Sequence, residues 1–286
     1  MLPSAGLWAP KESVYVIIHR PACPKLSKTF VISNGKATFV IMQLYAQQTL
    51  IIDGTVAGGP LFALFNEAGD LESFLDLTSF LKAYPPDGDQ NQTWESVKVL
   101  APALDVQYFP SEVYESNLKD SFSKYLLDDG VSPAASVTLK KPAVTALYRE
   151  KHYGLNEVFR LFPEAQTFIV APLVLAWVAT ELVHSESSLI HIHQAADQVC
   201  MTVFNQGNFT FQKEFQCAND DEFNYYLIRV LALSDQHASN LKVSISGDLV
   251  EGDSWYVRIA KYVKHIEFAD IQNMYKVFYA DHWRKT

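Results

Sequence analysis

Residues 188–216 read SLIHIHQAADQVCMTVFNQGNFTFQKEFQ, and the architecture follows from their pattern. Three runs are rich in β-branched and aromatic residues: Ser188-Leu-Ile-His-Ile-His, Gln198-Val-Cys-Met-Thr-Val-Phe and Phe209-Thr-Phe-Gln-Lys-Glu-Phe. Asn205-Gln-Gly-Asn supplies a turn between the last two, so the run is a three-strand meander. A helix follows, Asp220-Asp-Glu-Phe-Asn-Tyr-Tyr-Leu-Ile-Arg-Val-Leu, with acidic residues placed at the positive end of its dipole. Leu241-Lys-Val-Ser-Ile-Ser-Gly-Asp is a strand and a sharp turn. A helix over 251–263 and the strand His265-Ile-Glu-Phe complete the order βββαβαβ over residues 188–268.

Upstream, residues 165–183 contain an apolar core from Phe168 to Ala179, interrupted by Pro172. Spanning a bilayer takes roughly 20 apolar residues, so this segment is read as a buried strand followed by a buried helix. Proline is tolerated in that helix's first turn, where the missing amide has no partner to lose. The first 55 residues read as β structure, with Asn34-Gly35 between apolar runs as a hairpin signal and Thr49-Leu-Ile-Ile ending in Asp53-Gly54. A helix is expected from about Leu71 to Leu81, a strand at Ser96-Val-Lys-Val-Leu, and a second helix from Ser111 to about Leu127. Asp128-Asp-Gly and Ser132-Pro mark the change of lobe. The expected division is a first lobe over 1–140 and a second over 141–286, of like topology.

The 286 residues are 49% apolar and 13% aromatic, enough for substantial cores. Net charge is −9 without any compensating basic run, which argues against a protein that tracks nucleic-acid phosphates. A charged fraction of 19% leaves surface for apolar contact with a protein partner. The opening MLPSAGLWAPKE lacks the basic and apolar regions of a secretory signal, and no stretch is long enough to insert in a membrane. A soluble, cytoplasmic chain is the expectation. Cys23, Cys200 and Cys217 are odd in number and far apart, so reduced thiols are expected.

Phosphate-loop, dinucleotide, zinc-protease and serine-hydrolase motifs are all missing, and no catalytic residue is assigned. His191 and His193 share one face of their strand, and with His184 could form a three-imidazole site. Partly buried, hydrogen-bonded histidines explain the pair as well, and no metal is expected there. Asp53-Gly54-Thr55 is either a phosphate-loop fragment or an ordinary turn. Ser246-Gly247-Asp248, between an apolar strand and a helix, is either a ligand-binding turn or a plain β-to-α connection. In it the glycine would let backbone approach a ligand and Asp248 would bind a hydroxyl.

The runs Leu189-Ile-His-Ile-His, Val199-Cys-Met-Thr-Val-Phe-Asn-Gln-Gly-Asn-Phe-Thr-Phe, Asp221-Glu-Phe-Asn-Tyr-Tyr-Leu-Ile-Arg-Val and Val243-Ser-Ile-Ser-Gly-Asp resemble an uncharacterised Bacteroidetes family, domain of unknown function 3822. The resemblance is clearest over about 146–270 and looser over Val97 to Tyr125. It implies an α/β, actin-like ATPase fold of two ribonuclease-H-like lobes facing each other across a cleft. Such ATPases carry an acidic residue and glycines between the first two strands of each lobe. In the second lobe that position reads His191-Ile-His-Gln-Ala-Ala-Asp197, without glycine, and the first lobe's hairpin is sought at His19-Arg-Pro-Ala-Cys-Pro-Lys. Loops so built lack the room and amides that phosphates need. Asp197, Ser246, Gly247 and Asp248 are the residues that would face a nucleotide. The expectation is a non-catalytic scaffold or regulator without cofactor, acting through protein contacts; the alternative is an ATPase or phosphotransferase with atypical loops.

Overall fold

The computed structural model describes residues 48–56, 58–85, 94–151, 155–184, 188–196, 198–234 and 241–284, together with the backbone of three earlier strands. These are β1 (Tyr15–Ile18), β2 (Ser27–Ser33) and β3 (Lys36–Met42), an antiparallel sheet in the order β1-β2-β3. Ser33 lies opposite Lys36, so β2 and β3 form the hairpin expected around Asn34-Gly35.

The first lobe begins after this sheet, not within it. Its strands are β4 (Gln48–Asp53), β5 (Leu61–Phe65) and β6 (Leu71–Asp76), followed by helix α1 (Leu77–Ala83) and β7 (Trp94–Ala101). An insertion then builds a second small sheet from β8 (Ala103–Pro110), the short helix α2 (Lys119–Ser123), β9 (Ala134–Thr138) and β10 (Val144–Glu150), in the order β8-β10-β9. Helix α3 (Asn156–Leu161) and β11 (Gln166–Ile169) close the lobe, whose sheet runs β11-β7-β4-β5-β6.

Helix α4 (Val170–Trp177), extended by a π-helical turn over Val178–Leu182, leads into the second lobe. There β12 (Leu189–Ala195), β13 (Gln198–Asn205) and β14 (Asn208–Gln216) form the meander, followed by α5 (Asp220–Leu231), β15 (Lys242–Gly247), α6 (Ser254–Tyr262), β16 (His265–Phe268) and α7 (Ile271–Ala280). Asn219 starts α5 by accepting from the amides of Asp221 and Glu222. The sheet runs β14-β13-β12-β15-β16. In each lobe the first strand is central, antiparallel to the second and parallel to the fourth. The lobes are therefore two copies of one topology.

Several expectations shift. Residues 71–76 are a strand, and helix begins only at Leu77: Leu71, Phe74 and Leu75 have helical spacing, but the free edge of β5 takes them into pairing. Between Ser111 and Leu127 the chain forms one turn of 3-10 helix and five residues of α-helix. The division at residue 140 falls inside the inserted sheet, and β11 still belongs to the first lobe, so the change of lobe occurs along α4. The strand-then-buried-helix reading of 165–183 holds. Every residue from Val170 to Ala179 is buried, and among the described residues no helix is long and apolar enough to cross a membrane.

That burial is the main coupling between the lobes. Leu173, Val174, Leu175 and Trp177 of α4 pack in one cluster with Ile51 and Phe65 of the first lobe, Leu189 and Phe204 of the second, and Met274, Tyr275 and Phe278 of α7. Burying each such side chain contributes ~1.5–3 kcal/mol, far more than a surface ion pair. A separate core under α5 and α6 belongs to the second lobe alone.

Candidate functional site

In open α/β sheets, ligands bind beyond the carboxyl ends of the strands where strand order reverses. Here the order reverses at β4 and at β12, whose ends carry Asp53 and Gln194-Ala195. Beside them are the turn after β15 and the helix α7.

The hairpin between the first two strands of the first lobe is the β4–β5 connection. Asp53-Gly54-Thr55, with Gly58-Gly59 beyond it, therefore holds the acidic-and-glycine position that the sequence reading expects at His19–Lys25. Residues 19–25 lie outside the described residues. Asp53 is 1% exposed. Its Oδ1 accepts from the Thr55 amide at 2.9 Å and the Thr55 hydroxyl at 2.6 Å, while Oδ2 accepts from the Tyr275 hydroxyl at 2.6 Å. Burial, then the charge of Asp53, push the Tyr275 phenol well above its usual pKa. Gly54 is closely covered, since a Cβ there would stand 2.3 Å from Leu155 Cδ2 and that leucine would have to shift. Gly58 and Gly59, by contrast, face open space.

In the second lobe, Ser246-Gly247-Asp248 grips the β12–β13 hairpin. The Asp248 amide donates to Gln194 O at 3.0 Å, and the Asp248 carboxylate accepts from the Ala196 amide at 2.9 Å. A Cβ on Gly247 would lie 1.8 Å from Gln194 O, and φ there is +89°. The close approach that this glycine permits is to the protein's own backbone. Asp197 lies outside the described residues.

Ser246 also joins the two histidines. Its Oγ lies 3.0 Å from His191 Nε2 and 2.9 Å from His193 Nδ1. When the hydroxyl proton serves one ring, the other ring donates to the oxygen, which places both neutral imidazoles in the same tautomer, both Nδ1–H or both Nε2–H. Burial, then His193, push the His191 pKa down to about 3, leaving it neutral at pH 7. His193 is lowered by burial against the opposing charges of Asp53 and Asp248. His184 is exposed on the chain leading to β12, whereas His191 and His193 are buried, so no three-imidazole site assembles. Among the described residues no three His, Cys, Asp or Glu side chains converge to hold a metal.

The same face of the second sheet carries polar rows across its strands. His191 lies opposite Thr202, and Thr202 opposite Gln212; in the next row, His193 lies opposite Cys200 and Cys200 opposite Glu214. Gln212 Nε2 donates to Thr202 Oγ1 at 2.8 Å, and its Oε1 accepts from the Tyr108 hydroxyl of the insertion. Lys213 pairs with Asp105 across the same seam. Behind these contacts lies a cavity of about 310 Å³ walled by β8, the start of α4 and the β13–β14 edge. Sequence reasoning missed Tyr275, Asp105, Tyr108 and Glu214. The visible trace is β14, where Gln212 and Glu214 fall on the face opposite Phe211 and Phe215.

The family model described as "Protein of unknown function (DUF3822)" matches residues 67–266. A solved protein of Bacteroides thetaiotaomicron VPI-5482, with actin-like ATPase fold and unknown function, superposes with a TM-score of 0.64 at 16% identity, covering 81% of this chain and 95% of that one. The cytoplasmic domain of EpsL, an inner membrane component of the type II secretion system of Vibrio cholerae, gives 0.40 at 12% identity over 82% and 93% of the two chains. The PilM–PilN type IV pilus biogenesis complex gives 0.47 at 9% identity over 79% and 89%. No curated protein matches in sequence. Identity this low speaks to the fold alone, and the fold is that of the actin-like ATPases.

Proposed function

The chain belongs to the DUF3822 family, and from that membership we propose that it is a non-catalytic, cytoplasmic member of the actin-like fold that works through a protein partner. The observation that carries this reading is the Tyr275–Asp53 hydrogen bond. It commits the first lobe's loop carboxyl to a helix of the second lobe, inside a core the lobes share. Phosphoryl transfer is catalysed almost entirely by positioning and charge stabilisation around the phosphates. An Asp53 already bonded by Tyr275 and Thr55 is poorly placed to organise a metal-bound polyphosphate. Net charge of −9 adds an unfavourable background for a polyanion. Exposed apolar side chains support a protein partner: Val113, Tyr125, Leu127 and Val131 on the insertion, Tyr225 and Ile228 on α5, and Leu233 just beyond it. Buried, unbridged Cys200 and Cys217 suit a reducing compartment.

A second reading, an ATP-dependent phosphotransferase or ATPase, draws on one observation. Asp53-Gly54-Thr55 and the open Gly58-Gly59 stand where actin-like ATPases carry a phosphate loop. Calorimetry with MgATP separates the two. The non-catalytic reading expects no one-to-one isotherm. A dissociation constant below about 10 μM, weakened by Asp53→Asn, overturns it in favour of the second reading.

A further inference from the structure

We propose that the cavity between β8 and β14 binds a free α-amino acid, with Glu214 taking its ammonium group and Lys151 its carboxylate. The inference goes beyond the nucleotide question, which concerns the loops after β4 and β12. A volume of about 310 Å³ lies at the lower end of the range for small-ligand sites, ~300–1,000 Å³. Its walls come from both lobes, a usual place for such sites.

The charges lining it select the ligand. Asp105 is already satisfied: it accepts from the amides of Val106 and Leu127 and from Gln107 Nε2, and it pairs with Lys213. Glu214 and Lys151 remain. Among the described residues neither has a side-chain hydrogen bond or ion pair, yet both line the cavity and the charge of Lys151 acts on Glu214. Burial, with Asp105 adding to it and the two lysines opposing it, pushes the Glu214 pKa up to about 7. A half-buried carboxylate of that kind gains from a cation delivered to it. One unpaired cation and one unpaired anion suit a ligand bearing both charges. A phosphate ester would meet two carboxylates here against a single free lysine, and a divalent metal would meet an Asp105 already paired with Lys213. The Gln198 side chain on the wall offers neutral hydrogen bonding to a polar ligand side chain.

The test is titration calorimetry of the full chain with L-glutamine at pH 7, run in phosphate and in Tris. Ammonium binding fixes Glu214 as the anion and expels its proton, so saturable binding should come with heats that differ between the two buffers. Glu214→Gln should remove that difference and weaken binding at least about tenfold. Lys151→Met should weaken binding by a similar factor and leave the buffer difference. Butylamine and butyrate, each with one charge, should bind at least about tenfold more weakly than L-glutamine. The proposal is overturned if the native chain gives no heat with L-glutamine or any other protein amino acid at about 10 mM. It is equally overturned by binding that is identical in the two buffers. Both results come from the native chain, so neither depends on a variant folding.

Discussion

Tyr275 donates its hydroxyl to Asp53 at 2.6 Å, and 222 positions separate the two in sequence. The phenol ring lies in the shared core against Phe74, with ring centroids 5.6 Å apart, while the oxygen reaches the end of the first lobe's central strand. A single side chain thus contributes apolar burial to one contact and a proton to another.

Tyr275→Phe isolates the second contribution, because the ring remains and no cavity forms. Leaving a buried carboxyl short of one donor costs ~1–3 kcal/mol, to be read as a lower urea midpoint with an unchanged slope. Asp53→Ala should cost more, since it also frees the amide and hydroxyl of Thr55. A Tyr275→Phe midpoint equal to that of the native chain would show that the bond holds nothing.

Gly247→Ala and Gly59→Ala form a matched pair. Both glycines have positive φ, +89° and +123°, so each substitution carries backbone strain of ~1–3 kcal/mol. Only at Gly247 does the new Cβ also collide, 1.8 Å from Gln194 O, which must separate β15 from β12. Gly247→Ala should therefore lower the midpoint well beyond Gly59→Ala. Equal losses would mean the turn yields without strain.

Two opposed pH dependences meet in the native chain and separate in the variants. The His191 pKa falls from 6.5 to about 3 on folding. Its contribution is complete above pH 6.5 and declines as pH drops toward 3, because there the unfolded chain binds the extra proton. Glu214 rises from 4.5 to about 7, so its contribution is complete below 4.5 and is lost as pH climbs to 7. His193 faces the first group; Asp105, Lys213 and Lys151 face the second. Between pH 4.5 and 6.5 the slopes oppose, each on the order of 1.4 kcal/mol per pH unit. Glu214→Gln should steepen acid destabilisation in that window, and His191→Gln should make it shallower, with the lowered pKa of His193 still acting in the same sense as that of His191. Parallel pH profiles for all three proteins would contradict this.

Lys98, 7% exposed, donates to Phe278 O at 3.3 Å and Tyr279 O at 3.4 Å, at the carbonyl end of α7. Burial lowers its pKa, against the attraction of Asp281. Lys98→Met keeps an unbranched stem beside Phe168 and Phe278 but gives up both bonds and the charge at the helix end. A loss of ~1–2 kcal/mol is expected, with faster amide exchange at the end of α7 as the local readout. Unchanged exchange there would place the loss elsewhere.

The second lobe was legible because local signals agree with the tertiary result: the β-branched and aromatic runs, the Asn205–Asn208 turn and the acidic first turn of α5 all point the same way. The first lobe was legible in content but not in register. The Asn34-Gly35 hairpin is the stronger local signal, yet it belongs to a separate sheet, and the lobe opens at Gln48. Asp53-Gly54-Thr55 was noticed as a fragment; its place between the first two strands required the pairing of β4 with β5. Tyr275 could not be found from the sequence. Met274, Tyr275 and Phe278 have the spacing of an ordinary apolar stripe, and nothing local indicates a hydroxyl partner in β4.

Helix α7 has a consequence for synthesis on the ribosome. It covers the first lobe, reaching Asp53 through Tyr275, Phe65 through Tyr279 at 5.0 Å between rings, and β7 through Lys98. Until α7 emerges, that face of an already translated lobe has only water or a chaperone to cover it. The early half of the nascent chain therefore waits for the late half, through contacts of long sequence separation that form slowly. A ribosome stalled anywhere before residue 271 would hold a chain whose apolar strands β4 and β5 lack their cover, a natural substrate for quality-control proteases.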